Sequence, residues 1–274
     1  MGEYLIGAHL SIAKGINSIQ AQMDGLDMET CAFFLKSQRS FSFKPIEEPV
    51  IEKFKLEVKN PEYLLPHSSY LINLASSDDS LREKGKLILM DDLMRCEKLN
   101  IRYYNMHPGS NKEKNEGAKL LAKEIKDSLS KTKGVNILIE NMSGQGNVLC
   151  NKFSEIKKVL DLINDDRVGV CLDTCHLFAY GYDIRKRESF YTIMEEFNKE
   201  IGIEKLKAMH LNDCKGDLGS KKDRHESIGR GKIGLEAYKF IFEEKMFRNI
   251  PLILETPDIS LYKEEVRMLK SFIN

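Results

Sequence analysis

Residues 168–176 read VGVCLDTCH. The first five form an unbroken apolar run that is far too short for a helix core and does not alternate with polar residues. Such a run predicts a strand covered on both faces, as in a parallel sheet. It ends on a carboxylate, Asp173, with His176 three residues beyond. The same grammar recurs on either side. YLIGAH (4–9), CAFFLK (31–36), YLLPH (63–67), YYNMH (103–107) and NILIE (136–140) precede it, and LKAMH (206–210) and PLILE (251–255) follow. Between these runs, apolar residues three and four apart predict amphipathic helices over 87–99, 118–129, 153–163, 190–201, 235–242 and 261–272, with weaker candidates at 15–25 and 46–58. Eight strand-then-helix units predict an α/β chain folded as one (β/α)8 TIM barrel, a single catalytic domain over 1–274. A doubly wound open sheet would have fewer units and a glycine fingerprint after its first strand, and Gly7-Ala8-His9 is not one.

The last residue of each strand carries the chemistry. From the third strand on, these residues are His67, His107, Glu140, Asp173, His210 and Glu255, spaced by 33 to 45 residues, about one βα unit each. In a barrel such positions converge on the C-terminal rim, where active sites of this fold lie. One polar residue at a strand end means little, because the chain is emerging towards water. Six in succession predict a metal cluster. His176 beyond the sixth strand and the Asp223–His225 pair in the loop after the seventh bring the set to nine. In extended chain, residues i and i+2 project together and can share an ion. Five of the six histidines fall in this set, and only His9 is left over. Nine nitrogen and oxygen donors exceed one tetrahedral site and suit two or three ions. Cys171 and Cys175 flank Asp173 and are expected to turn away into the barrel wall. Closely spaced divalent ions serve in-line phosphodiester hydrolysis. Sugar isomerisation or epimerisation on a two-ion barrel is the main competitor, and a non-catalytic DNA-binding module is a third reading.

Composition narrows the partners. The 274 residues carry 42 Lys+Arg against 42 Asp+Glu, so any nucleic acid must be held by local patches and not by a global field. With 42% hydrophobic and 31% charged residues the chain is neither disordered nor membrane-spanning. Six scattered cysteines without a C-x-x-C pair, and no visible targeting segment, favour an intracellular protein: cytoplasmic if prokaryotic, the nucleus otherwise remaining open. Candidate phosphate-positioning cations in the βα loops are Lys36, Arg39, Lys215, Lys221, Lys222, Arg224, Arg230 and Lys232.

Read in order, GAHLS (7–11), KSQR (36–39), LPHSSYLINLA (65–75), HPGS (107–110), IENMSGQG (139–146), GVCLDTCHLFAYGYD (169–183), MHLNDCK (209–215), DRHESIGRGKIG (223–234) and PLILET (251–256) resemble the endonuclease IV family of apurinic/apyrimidinic (AP) endonucleases over essentially the whole chain. The resemblance implies three zinc ions, with Mn²⁺ or Fe²⁺ as substitutes. His67, His107 and Glu140 would hold the first. Glu140 would bridge to the second, completed by Asp173, His210 and Glu255, and His176, Asp223 and His225 would hold the third. It implies cleavage of double-stranded DNA on the 5′ side of an abasic site, leaving a 3′-hydroxyl and a 5′-deoxyribose phosphate, and trimming of blocked 3′ ends. Glu140 would lie beside the hydroxide that attacks phosphorus. Arg39, Tyr70 and Leu71 match the family's DNA-penetrating positions, a job that needs a stacking aromatic and an apolar wedge once the abasic sugar is extruded. A monomer is expected, and with no apolar run near the length of a spanning helix no membrane association is expected either. Two departures stand out: Phe41 where Trp is common, and Ser76-Ser77-Asp78-Asp79 in place of a loop that often carries proline.

Overall fold

A computed structural model describes residues 3–273. The first half of the chain folds as β1 (Leu5–His9), α1 (Ile19–Leu26), β2 (Thr30–Ala32), α2 (Glu48–Glu57), α3 (Asp79–Lys98), β3 (Tyr103–Met106), α4 (Lys114–Ser130) and β4 (Asn136–Glu140). The second half adds α5 (Phe153–Ile163), β5 (Val168–Asp173), α6 (Thr174–Tyr180), α7 (Arg187–Glu200), β6 (Leu206–His210), the short hairpin β7 (Asp213–Cys214) and β8 (His225–Glu226), α8 (Glu236–Glu243), β9 (Pro251–Leu254) and α9 (Tyr262–Lys270). Seven strands form one parallel sheet in the order β2-β1-β9-β6-β5-β4-β3.

Residues 65–68 close that sheet into a barrel. The Leu65 and His67 amides donate to the Cys31 and Phe33 carbonyls, each at 3.0 Å, on the β2 side. On the β3 side, Ser68 donates to Asn105 O at 2.9 Å and the Asn105 amide donates to Pro66 O at 2.9 Å. This is the expected third strand, reduced to a parallel bridge between His67 and Asn105. Pro66 has no amide to give, so no regular ladder can run through it.

Alternation along the staves sets up everything above them. Ala32, Leu65, Tyr103, Leu138, Cys171, Ala208 and Ile253 pack as a separate buried cluster, one from each of seven staves, and so fill the barrel interior. Their neighbours, among them Ile6, Ala8, Ile137, Ile139, Val170, Leu172 and Leu254, join the larger core beneath the helices. Side chains two apart in a strand share a face. Two residues beyond the interior positions stand His67, Asn105, Glu140, Asp173, His210 and Glu255, which are therefore aimed into the mouth. The same rule corrects the expectation for Cys171. It lies inside the barrel on the Asp173 face, not in the wall.

The helices follow their apolar stripes. In α5, Phe153, Ile156, Val159 and Ile163 are buried at helical spacing, each contributing roughly 1.5–3 kcal/mol when fully removed from water. α3 begins eight residues before the expected Leu87 because Asp78 caps it, accepting the Leu81 amide at 3.1 Å. The departure at 76–79 is thus a helix-capping device. α6 and the β7–β8 hairpin were not anticipated. α6 starts where it does because Asp173 accepts the His176 amide at 2.8 Å.

Candidate metal centre

Glu140, fully buried at the end of β4, sits at the middle of the mouth. Its Oε2 lies 3.2 Å from His67 Nε2 and 3.5 Å from His107 Nε2. Its Oε1 lies 3.2 Å from both His176 Nδ1 and His210 Nδ1. His210 Nδ1 is also 3.2 Å from Glu255 Oε2 and 3.8 Å from Asp173 Oδ2. On the far side Asp223 spans two imidazoles, with Oδ2 at 3.2 Å from His176 Nε2 and Oδ1 at 3.2 Å from His225 Nε2. All nine residues expected from strand ends and adjoining loops are therefore brought together.

They fall into groups small enough for single ions. His67, His107 and Glu140 offer ligand atoms within 4.8 Å of one another, as do Glu140, Asp173, His210 and Glu255, and likewise His176, Asp223 and His225. The hydrogen-bond pattern fits cation binding. His210 Nε2 is buried without a hydrogen-bond partner, and the buried Nε2 atoms of His176 and His225, though 3.2 Å from Asp223, lie outside hydrogen-bond geometry. Leaving such an atom unpaired costs on the order of 1–3 kcal/mol. An all-nitrogen-and-oxygen donor set rich in imidazole suits zinc and its first-row neighbours.

The charges are organised to keep the carboxylates ionised. Burial opposes ionisation of Glu140, yet His210 and His107 hold its pKa well below the ordinary carboxylate value. Glu255 and Asp223, also opposed by burial, are held down by His210 and by His176 respectively. Burial disfavours charge on His176 too, but Asp173, Asp223 and Glu140 outweigh it and raise its pKa well above the imidazole norm. His225 is pushed up to about 9, because Asp173 and Asp223 overcome its desolvation. His107 goes the other way, to about 4, since desolvation prevails there. Sulfur is poorly placed to compete. Burial pushes the Cys171 thiol up to about 11. Cys175, which shares a cluster with Asp173 and His225, is raised by its contact with Cys214 and by burial.

Several residues that hold the donors in place escaped the sequence reading. Asn105 donates to Glu140 Oε2 at 2.6 Å, Asn212 donates to Asp173 Oδ2 at 2.7 Å, and Asn141 Oδ1 accepts the Asp173 amide at 2.6 Å. Gln145 Oε1 accepts the Asp223 amide at 3.1 Å. His9 Nδ1 lies 3.0 Å from Glu255 Oε1. His9 ends the first strand, so the register that selected the other histidines applies to it equally. For Asn105 the available signal was an amide side chain inside an apolar strand. Partners of this kind typically contribute 10- to 100-fold to metal affinity. Asn105→Leu is accordingly expected to lower divalent-cation affinity by about that factor, read by chelator competition; an unchanged affinity would remove Asn105 from the support of Glu140.

The candidate DNA-contact residues lie in the loops above. Arg39, Lys215, Arg224 and Arg230 are exposed. Tyr70 is 70% exposed, its ring 6.3 Å from that of His67 and 6.0 Å from that of His107. Leu71 is half-buried against the core. Lys36 is not available to a phosphate. Its Nζ pairs with Asp91 at 2.6 Å and Asp92 at 3.0 Å beneath the rim.

Comparison with known proteins agrees with this architecture. Residues 22–272 match the family model described as a xylose isomerase-like TIM barrel. "Probable endonuclease 4" of Campylobacter curvus is 41% identical over 274 residues, covering 97% of both chains. "Apurinic-apyrimidinic endonuclease 1" of Plasmodium falciparum is 42% identical over 276 residues, covering 96% of this chain and 46% of that protein. The chain thus spans about half the length of the Plasmodium relatives. Among solved structures, endonuclease IV from Thermus thermophilus superposes with a TM-score of 0.87 at 29% identity, covering 98% of each chain. A D-tagatose 3-epimerase-like protein, at a TM-score of 0.73 and 18% identity, shares the fold alone. The near full-length identity and the barrel place the chain in the endonuclease IV family of AP endonucleases.

Proposed function

We propose that this protein is a zinc-dependent AP endonuclease of base-excision repair. It hydrolyses the phosphodiester 5′ to an abasic site in double-stranded DNA, leaving a 3′-hydroxyl and a 5′-deoxyribose phosphate, and trims blocked 3′ ends. The observation that carries the proposal is the gathering of nine nitrogen and oxygen donors into overlapping groups around Glu140, three of which together use all nine, at the open mouth of a barrel from this family.

His67, His107 and Glu140 would hold one ion. Glu140, Asp173, His210 and Glu255 would hold a second, and His176, Asp223 and His225 a third. Bound there, divalent cations neutralise phosphate charge and acidify water. Glu140 turns one carboxylate oxygen to each side of the cluster and so ties the first two groups together. Asp173 faces the second group while its Oδ1 caps α6, which fixes the helix that carries His176. Arg39, Lys215, Arg224 and Arg230 offer cations to the backbone from several loops, which suits a neutral protein that must grip a polyanion locally. Tyr70 stands free beside His67 and His107, where its ring can stack in the gap left by an extruded sugar, with Leu71 beneath it. The third donor group and this exposed aromatic favour a nuclease over a two-ion sugar epimerase, which needs only an enclosed pocket. Among the described residues no helix is long and apolar enough to cross a membrane. We take the acting species to be a monomer.

The test is incubation with a duplex containing one tetrahydrofuran abasic analogue, before and after metal stripping, with elemental analysis alongside. That analogue resists β-elimination, so a nick reports hydrolysis. Nicking that depends on bound zinc is expected, and an intact duplex at high enzyme concentration would end the proposal. Tyr70→Ala should weaken binding of the same duplex by about 5- to 150-fold, the range of one lost base-stacking contact. An unaltered Kd would refute the stacking role.

A further inference from the structure

Beside the metal centre, the segment Ser227–Gly234 (SIGRGKIG) is folded around a side chain with no part in the reading above. Asp213, fully buried on β7, accepts five backbone amides. Its Oδ1 takes Cys214 N at 2.8 Å and Ile233 N at 2.9 Å. Its Oδ2 takes Gly229 N at 2.9 Å, Gly231 N at 3.0 Å and Gly234 N at 3.3 Å. The remaining amides of the loop are also bonded. Ile228 N donates to the buried Glu265 carboxylate at 2.8 Å, Arg230 N to Ser227 O at 2.9 Å and Lys232 N to Cys214 O at 2.8 Å. Every amide from 228 to 234 is therefore satisfied, most of them by two buried carboxylates.

The sequence of the loop matches this core. Gly229 and Gly234 adopt left-handed φ values of 77° and 79°, which side chains rarely tolerate. A Cβ on Gly231 would stand 2.4 Å from Asp213 Oδ1 and 2.6 Å from Cys214 O. While the backbone is drawn inward, Arg230 and Lys232 remain exposed. The result is a closely bonded turn that presents two cations five and seven residues beyond His225, Lys232 Nζ lying 3.8 Å from the exposed Asp217. Presenting them preformed avoids the ordering cost that a mobile loop would meet on binding.

We infer that Asp213 is a positioning residue for DNA binding: by gathering these amides it fixes Arg230 and Lys232 as a preformed clamp on the phosphodiester backbone. The inference rests on the AP endonuclease reading. Its test is the Kd for the tetrahydrofuran duplex as a function of salt, in the zinc-loaded wild type, Asp213→Asn, Arg230→Ala and the double variant. Asn keeps the size but leaves one oxygen to accept, so two or three of the five amide bonds are lost. Asp213→Asn should weaken Kd by about tenfold or more and flatten the dependence of log Kd on log salt by about one ionic contact. Turnover at saturating duplex and zinc content should stay at wild-type values. Because Asp213 acts through the clamp, the double variant should lose less than the product of the single losses. An unchanged Kd in Asp213→Asn, independent losses in the double variant, or loss of an ion would overturn the inference. If Asp213→Asn does not fold, Gly231→Ala, which drives a methyl group against the same carboxylate, is read by the same criteria. A paired Arg230→Ala/Lys232→Ala variant that binds like wild type would overturn it as well. Failure of the wild type to nick the duplex would instead sink the AP endonuclease reading, so the two failures are distinguishable.

Discussion

Glu140→Gln should lower single-turnover cleavage of an abasic-analogue duplex by on the order of 10³-fold or more, while the protein still melts cooperatively. Four imidazoles lie within 3.5 Å of this one carboxylate, and it belongs to two of the three proposed ion groups. Gln preserves the shape but removes the charge and one acceptor oxygen, so both groups lose strength at once. Cations in such sites stabilise charge by several kcal/mol in the transition state, and about 4 kcal/mol corresponds to three decades in rate. Activity within tenfold of wild type would show that the centre of the cluster lies elsewhere.

Asp223→Ala should remove one ion and leave the other two. Asp223 is half-buried in the loop before β8, and its contribution is local: it joins His176 on α6 to His225 on β8. Neither residue belongs to the other two proposed ion groups. Elemental analysis is expected to fall from three zinc equivalents to two, with turnover down by about 100-fold or more, as several kcal/mol of charge stabilisation are lost. The melting transition should stay single because no barrel-interior residue is touched. An unchanged zinc count would break the assignment of His176, Asp223 and His225 to a common ion.

The fold and the donor set were legible for one reason. Buried parallel strands are continuous apolar runs, and the first polar residue after each run marks where the chain reaches the rim. Glu140, Asp173 and His210 can be read that way without any coordinates. What the sequence concealed depends on pairing partners that local pattern does not record. The amides of Asn105, Asn141 and Asn212 look like polar interruptions until they are seen to bond Glu140 and Asp173. Lys36 looks like a rim cation until α3 brings Asp91 and Asp92 to it. The expectation that Cys171 turns into the wall misapplies alternation, because residues 171 and 173 necessarily share a face. α6 is hidden because one side chain, Asp173, both faces the mouth and caps the helix, and the sequence pattern marks only the first role.

The proline-limited stave at 65–68 has a consequence for motion. It is a short seam, held by two amide bonds on each side, and regions with few backbone bonds open first. His67 lies on that stave, while His107 follows β3 and Glu140 ends β4 across the gap. A cation gripped by all three would act as a rivet through the joint, so spreading the joint and releasing that cation become a single event. Amide hydrogen exchange at Leu65 and His67 should therefore slow markedly as zinc is added, while protection in β5 and β6 changes little.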